Sequence, residues 1–115
     1  MKIILLDTNF LIDCAKFKID FFTEIDRICV FPYGLSVLDT TVKELENVKP
    51  PSLKLIKTYL NKVPILKAEK EYVDDELIRL SKEGCIIATQ DQELKELLRK
   101  PIIVIRQEKY LALTD

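Results

Sequence analysis

Short runs of apolar residues alternate with longer amphipathic segments along this chain of 115 residues. The apolar runs predict buried strands at Lys2–Leu6, Leu35–Leu38, Val63–Leu66, Ile86–Ala88 and Ile102–Ile105. Apolar residues three and four positions apart predict helices at Asn9–Lys16, Phe21–Ile28, Thr41–Val48, Ser52–Asn61, Tyr72–Glu83 and Asp91–Lys100. This alternation predicts an α/β fold in which helices cover both faces of a central, five-stranded parallel sheet.

The length favours one domain, and residues 1–115 contain no low-complexity stretch that would mark a linker. The first apolar run ends at Asp7 after four apolar residues, which is too short for a signal peptide or a membrane span. We therefore expect a single domain in the cytoplasm that does not associate with membranes.

The absence of histidine excludes more chemistry than any other feature of the composition. Without it there is no Ser–His–Asp or Cys–His nucleophilic system, no imidazole base and no histidine-bound zinc. The three cysteines form no C-x-x-C pair, so neither a disulfide framework nor a zinc site is indicated. Any metal would be a hard cation held by oxygen ligands.

Acidic residues stand where predicted strands meet predicted helices. Asp7 directly follows the first strand, Glu44 lies in the first turn of the helix after the second, and Asp91 begins the helix after the fourth. Asp74 and Asp75 open the helix that precedes the fourth strand. Since such junctions line one edge of a parallel sheet, we expect these carboxylates to converge there. A divalent cation is the simplest way to keep them ionised together.

Each acid taken alone has a purely structural explanation. Asp is a favoured N-cap, and acids in a first helical turn are stabilised by the helix dipole. The segment Thr41-Val42-Lys43-Glu44 also fits a capping box, in which Glu44 would serve only its own helix. The joint placement of the acids at one edge favours a metal site over capping.

Four motifs resemble those of the PIN-domain nucleases, in the order of that family. They are Asp7-Thr8-Asn9-Phe10-Leu11, Val42-Lys43-Glu44-Leu45, Tyr72-Val73-Asp74-Asp75-Glu76-Leu77-Ile78 and Ile87-Ala88-Thr89-Gln90-Asp91. The resemblance implies a PIN-like three-layer α/β/α sandwich with the first strand central. It also implies a divalent-metal-dependent endoribonuclease that uses Mg²⁺ or Mn²⁺.

The resemblance assigns the catalytic and metal-binding roles to Asp7, Glu44, Asp75 and Asp91. Asp74 competes with Asp75 for the third position, and the family spacing favours Asp75, which leaves Asp74 as an N-cap. Thr8, Asn9 and Thr89 would position ligands or a phosphate, although capping and turn hydrogen bonds explain them equally well.

The charge along the chain is uneven, with +4 over residues 43–70 and −5 over residues 71–94. This distribution indicates a basic rim beside an acidic pocket. Lys43, Lys49, Arg99 and Lys100 are the candidate phosphate contacts at that rim.

Several cellular roles follow from the resemblance. The Asp-Asp pair and the A-T-x-D motif are most similar to ribosomal-RNA-processing nucleases of archaea and eukaryotes, and the toxins of toxin–antitoxin pairs share the same site. The partners expected are an RNA substrate, a second copy in a homodimer, and an antitoxin or a ribosome-assembly factor. The alternatives are an inactive PIN-like module that binds RNA or protein, and a phosphoacceptor domain, which the D-T-N opening fits poorly.

Overall fold

The chain folds around one sheet of six strands in the computed structural model, which describes residues 1–114. The sheet order is β3-β2-β1-β4-β5-β6, and all neighbouring pairs are parallel except β5 and β6. The strands are β1 Lys2–Leu6, β2 Tyr33–Leu38, β3 Ile65–Leu66, β4 Ile86–Ala88, β5 Ile102–Arg106 and β6 Tyr110–Thr114. The helices are α1 Thr8–Lys16, α2 Phe21–Ile28, α3 Asp39–Val48, α4 Leu53–Leu60, α5 Val73–Lys82 and α6 Gln92–Leu97.

The central strand β1 is buried on both faces, as expected of a parallel sheet covered by helices. Ile4 and Leu6 point to the face covered by α1 to α4, where the larger hydrophobic core lies. Leu5 points to the opposite face and packs in a second core with residues of α5 and α6. The predicted α/β fold with helices on both faces of a central sheet is confirmed.

The third helix begins earlier than the sequence pattern predicts. Helix α3 starts at Asp39 rather than Thr41, directly after β2 ends at Leu38. Glu44 therefore lies in the second turn, and the N-cap position, Leu38, makes no side-chain capping bond. The capping-box explanation of Glu44 is wrong, because Thr41 is already inside the helix.

The sixth strand was not predicted. It forms a hairpin with β5 through a turn in which Gln107 and Glu108 have φ angles of 53° and 55°. Turns of this kind usually carry Asn or Gly, so the sequence offered no turn signal. Leu111 of β6 is fully buried, and its backbone N–H and carbonyl bond to the side chains of Glu24 and Arg27 on α2.

The parallel strands bring three strand-to-helix junctions to one edge of the sheet. Asp7 follows β1, α3 follows β2, and Asp91 lies three residues beyond β4. Helix α6 then runs back toward the opposite edge, where β5 begins after the cis peptide bond Lys100–Pro101. Within residues 1–114, no helix combines the length and apolar character needed to cross a membrane.

Candidate active site

Asp7 is the most buried acid at the carboxyl edge of the sheet. Its side chain is 4% exposed, and Oδ1 accepts a hydrogen bond from the N–H of Thr8 at 2.8 Å. Oδ2 accepts a bond from the Thr89 hydroxyl, also at 2.8 Å. These bonds stabilise the ionised carboxylate, but burial opposes them and raises its pKa to about 6.

The hydroxyl of Thr89 joins Asp7 to Asp91. It donates its proton to Asp7 and accepts a bond from the backbone N–H of Asp91 at 3.2 Å. Asn9 Oδ1 lies 3.2 Å from the same hydroxyl oxygen and accepts the backbone N–H of Gln90 at 3.0 Å. Asn9 and Thr89 therefore hold the loop after β4 against the start of α1, which places the two acids.

Asp91 also caps helix α6, with Oδ1 accepting the backbone N–H of Leu94 at 3.1 Å. The structural explanation given for Asp91 thus holds for one of its oxygens. Among the hydrogen bonds described for residues 1–114, its Oδ2 takes part in none. One carboxylate oxygen is therefore available for another ligand while the other holds the helix end.

Of the two adjacent acids that open α5, Asp74 lies near the other acids of this edge. Partial burial is the main cause that raises the pKa of Asp74. The negative charges of Asp91 and Glu44 raise it further. Asp75 instead lines an open cleft with Lys70, Ile78, Arg79, Lys82 and Glu83. Neither residue is the N-cap of α5, which is Tyr72.

Helical geometry explains why neighbouring residues diverge. Successive residues of an α-helix are turned by about 100° around its axis. Asp74 lies three and seven positions before the buried residues Leu77 and Ser81, whereas Asp75 has that spacing to Ile78 and Lys82. The face of α5 that packs inward therefore carries Asp74 and not Asp75.

Glu44 completes the group. It is exposed on α3, and its charge acts on both Asp7 and Asp74. Asp7 thus lies close enough to Asp74 and Glu44, and Asp74 to Asp91 and Glu44, for their charges to repel. A buried acid surrounded by acids is what a bound cation would stabilise.

The donor set suits Mg²⁺ or Mn²⁺, since every side chain in it offers oxygen. In their present rotamers no three acidic or thiol side chains of residues 1–114 form a ready-made metal cluster. The side chains of Glu44 and Asp74 are both exposed. The buried hydroxyl of Thr8, beside Asp7, has no hydrogen-bond partner in the described part of the chain.

The predicted phosphate contacts separate into two groups. Lys43 lines an open cleft of about 260 Å³ beside Glu44, together with Thr40, Asn47, Glu71, Tyr72 and Val73. Arg99 and Lys100 instead line a cleft with Lys2 and Gly84 at the amino ends of the strands. Their predicted place at the rim is wrong, because α6 carries the chain across the molecule before β5 begins. Lys49 is the exposed C-cap of α3, one turn beyond Glu44.

Gln90 is a site residue that the sequence analysis missed. Its Oε1 accepts the backbone N–H of Ile105 at 2.9 Å, which ties the loop between Thr89 and Asp91 to β5. Burial raises the pKa of Asp13 on α1, and the nearby Gln90 side chain acts in the opposite sense. Its position inside the fourth motif was the only available signal.

Comparison with known proteins identifies the fold around this site. The family model described as "PIN like domain" matches residues 4–108. The chain belongs to the PIN-like domain family. Ribonuclease VapC4 of Methanocaldococcus jannaschii is 34% identical over 118 aligned positions, which cover 90% of each chain. The solved structure of the PIN domain endonuclease Utp24 superposes with a TM-score of 0.79 at 23% identity, covering 96% of this chain and 90% of that one.

The resemblance noted from the four motifs is therefore confirmed, and so is the PIN-like fold. The motif acids of this PIN-like domain lie at the carboxyl edge of its sheet, with Asp74 in the place for which spacing favoured Asp75. Their roles as ligands remain predictions.

Proposed function

We propose that this PIN-like domain is a divalent-metal-dependent endoribonuclease. The observation that carries the proposal is the buried Asp7 carboxylate, which lies close enough to Glu44 and Asp74 for their negative charges to raise its pKa. The relative named as a ribonuclease, at 34% identity over 90% of the chain, supports RNA as the substrate. Motif resemblance favours processing of ribosomal RNA, with a toxin's ribonuclease as the alternative.

Asp7, Asp74 and Asp91 would hold the metal, with Glu44 as a further ligand or as the general base. When bound, Mg²⁺ or Mn²⁺ would lower the pKa of nearby water and stabilise negative charge on the phosphate. Thr89 would keep Asp7 and Asp91 in position, as hydrogen-bonded neighbours of metal ligands commonly do.

Glu44 is suited to the base role because its side chain is exposed at the edge of the acid group. It would take a proton from the attacking water as the water oxygen bonds to phosphorus. The ester bond to the leaving oxygen then breaks, and that oxygen takes a proton from solvent. Hydrolysis in this form consumes one water and needs no further reactant.

The experiment is cleavage of single-stranded RNA in Mn²⁺ by the wild type and by single Asp→Asn variants. We expect Asp7→Asn, Asp74→Asn and Asp91→Asn to lose more than about 100-fold in rate, because changes in the groups that merely support metal ligands already cost about 10–100-fold. Asp75→Asn is the matched control and should retain nearly wild-type activity.

Calorimetric titration with Mn²⁺ should show binding that the same three variants weaken. Full activity in Asp7→Asn or Asp91→Asn would overturn the mechanism. A loss in Asp75→Asn with none in Asp74→Asn would return the third role to Asp75. RNA binding without cleavage in any divalent cation would favour the inactive RNA-binding module.

A further inference from the structure

A pair of cations lies on the side of the acids opposite Lys43. Lys95 is one helical turn beyond Asp91 on α6, and Arg106 ends β5. Both line a cleft of about 360 Å³ between α6 and the β5–β6 edge of the sheet. Its other lining residues are Gln92, Glu96, Lys100, Ile102, Val104 and Thr114. The pair was not among the predicted phosphate contacts.

The two cations are held together at an electrostatic cost. Burial is the main cause that lowers the pKa of Lys95, and the charge of Arg106 lowers it further. The negative charge of Asp91 raises it. Within residues 1–114, neither cation takes part in any of the ion pairs, which involve other residues. Since no ion pair in the described part of the chain neutralises either cation, an anion that contacts both would stabilise the pair.

The position of the pair indicates which anion. Arg106 stands at the carboxyl end of β5, the same end of the sheet as the acids, and Lys95 is close enough for Asp91 to act on it. The apolar side chains of Ile102 and Val104 form the floor of the cleft that leads away from this end. A chain carrying phosphates at regular intervals can thus meet the acids with one phosphate and the cations with another.

We propose that Lys95 and Arg106 bind a phosphate of single-stranded RNA next to the one that the acids attack. The proposal rests on the proposed nuclease function, since it assigns the neighbouring phosphate of the same substrate. The planar guanidinium of Arg106 contacts two phosphate oxygens, and the ammonium group of Lys95 adds a point charge. The RNA backbone then runs from the acid group along the α6–β5 cleft.

The test compares the wild type with the Lys95→Ala/Arg106→Ala double variant. A fluorescent single-stranded RNA is titrated in EDTA, so that no cleavage occurs, at several KCl concentrations. We expect Kd to rise about tenfold or more, since hydrogen bonds to charged groups contribute about 1.5–3 kcal/mol. The slope of log K against log salt should fall by about 0.7 for the one phosphate lost.

Two controls separate the site from general charge and from packing. Lys2→Ala/Arg99→Ala removes the same charge at the opposite edge and should change the slope little. Lys95→Arg keeps both charges and the guanidinium of Arg106, so it should bind RNA within about threefold of the wild type. The thermal midpoint of Lys95→Ala/Arg106→Ala should not fall, because the substitution removes a repulsion.

The outcomes distinguish this inference from the proposed function. If the Lys95→Ala/Arg106→Ala variant binds RNA with the affinity and slope of the wild type, the inference is overturned, even where the wild type cleaves RNA. An equal loss in Lys2→Ala/Arg99→Ala also overturns it, since the effect is then one of net charge. If the wild type binds as expected but cleaves nothing in Mg²⁺ or Mn²⁺, the phosphate site stands and the nuclease proposal fails.

Discussion

The carboxyl group of Asp7 destabilises the fold in which it is placed. Burial and the charges of Asp74 and Glu44 raise its pKa from 3.8 to about 6. A shift of that size corresponds to about 3 kcal/mol against the ionised form at neutral pH. This cost remains after its bonds to Thr8 and Thr89, which act in the opposite sense. Functional sites commonly contain groups that lower the stability of the fold, as Asp7 does here.

Asp7→Asn should therefore stabilise the metal-free protein. Asn keeps an acceptor for the N–H of Thr8 but carries no charge, so we expect the free energy of unfolding at pH 7.5 to rise by up to about 3 kcal/mol. Mn²⁺ should raise the thermal midpoint of the wild type and not that of the variant, because a ligand that binds only the folded state stabilises it. Denaturation in EDTA and in Mn²⁺ measures both effects.

Asp75→Asn is the control, because it removes the same charge from the solvent side of α5. It should leave both the metal-free midpoint and the effect of Mn²⁺ unchanged. A lower metal-free midpoint for Asp7→Asn than for the wild type would mean that its hydrogen bonds outweigh its burial.

At the scale of elements, helix α2 holds the strand that the sequence pattern missed. Glu24 accepts two bonds from Arg27 at 2.9 Å and one from the backbone N–H of Leu111 at 3.0 Å. Arg27 in turn donates to the carbonyl of Leu111 at 2.9 Å. These bonds, with Arg27 as the main cause, hold the pKa of Glu24 below its usual value of 4.5.

The Glu24 contacts should make stability depend on pH. Because the folded-state pKa is lowered, the contribution is fully present above about pH 4.5 and is lost as the pH falls through the folded-state value. Glu24→Gln should unfold about 1 kcal/mol more easily at pH 7 and equal the wild type at strongly acidic pH. Urea denaturation of both proteins between strongly acidic pH and pH 7 measures this difference in the free energy of unfolding.

Glu46→Gln is the matched control, since Glu46 pairs with Lys57 at 3.8 Å on the surface and should matter little. A constant difference between Glu24→Gln and the wild type at every pH would show that shape, not charge, holds β6.

At the scale of the whole molecule, exposed apolar side chains occur in three elements on the α3–α4–β3 side. Val48, Leu55 and Ile65 are 57%, 44% and 61% exposed. Helices α1 and α2 carry no large apolar residue that is strongly exposed in the described chain, whereas α4 exposes Leu55. Apolar side chains exposed on neighbouring elements can form an interaction surface.

We therefore expect the homodimer to form through α4. Sedimentation at micromolar concentrations should give twice the mass of one chain, and Leu55→Glu should shift the protein toward monomer because it would bury a charge. Val30→Glu is the control, at a residue that is 95% exposed beyond the end of α2. A wild-type monomer at every concentration, or a dimer unaffected by Leu55→Glu, would contradict this.

Local pattern alone determined the order of strands and helices and the placement of Asp7 and Asp91. Both acids follow buried strands closely, and the direction of a parallel strand sets the edge at which its next residue appears. The absence of histidine limited the metal to one held by oxygen ligands. These features depend on neighbours in sequence, so they could be predicted before any packing was known.

Tertiary packing decided which acid and which basic residues lie near the site, and whether β6 forms. A step of one residue turns a side chain by about 100° on α5, so the choice between Asp74 and Asp75 depended on which face meets the sheet. The chain after helix α6 places Arg99 at the far edge of the sheet, whereas Lys95 lines a cleft with Arg106 of β5. Strand β6 required α2 to bond to it. Such contacts join residues distant in sequence, and the local pattern contains no information about them.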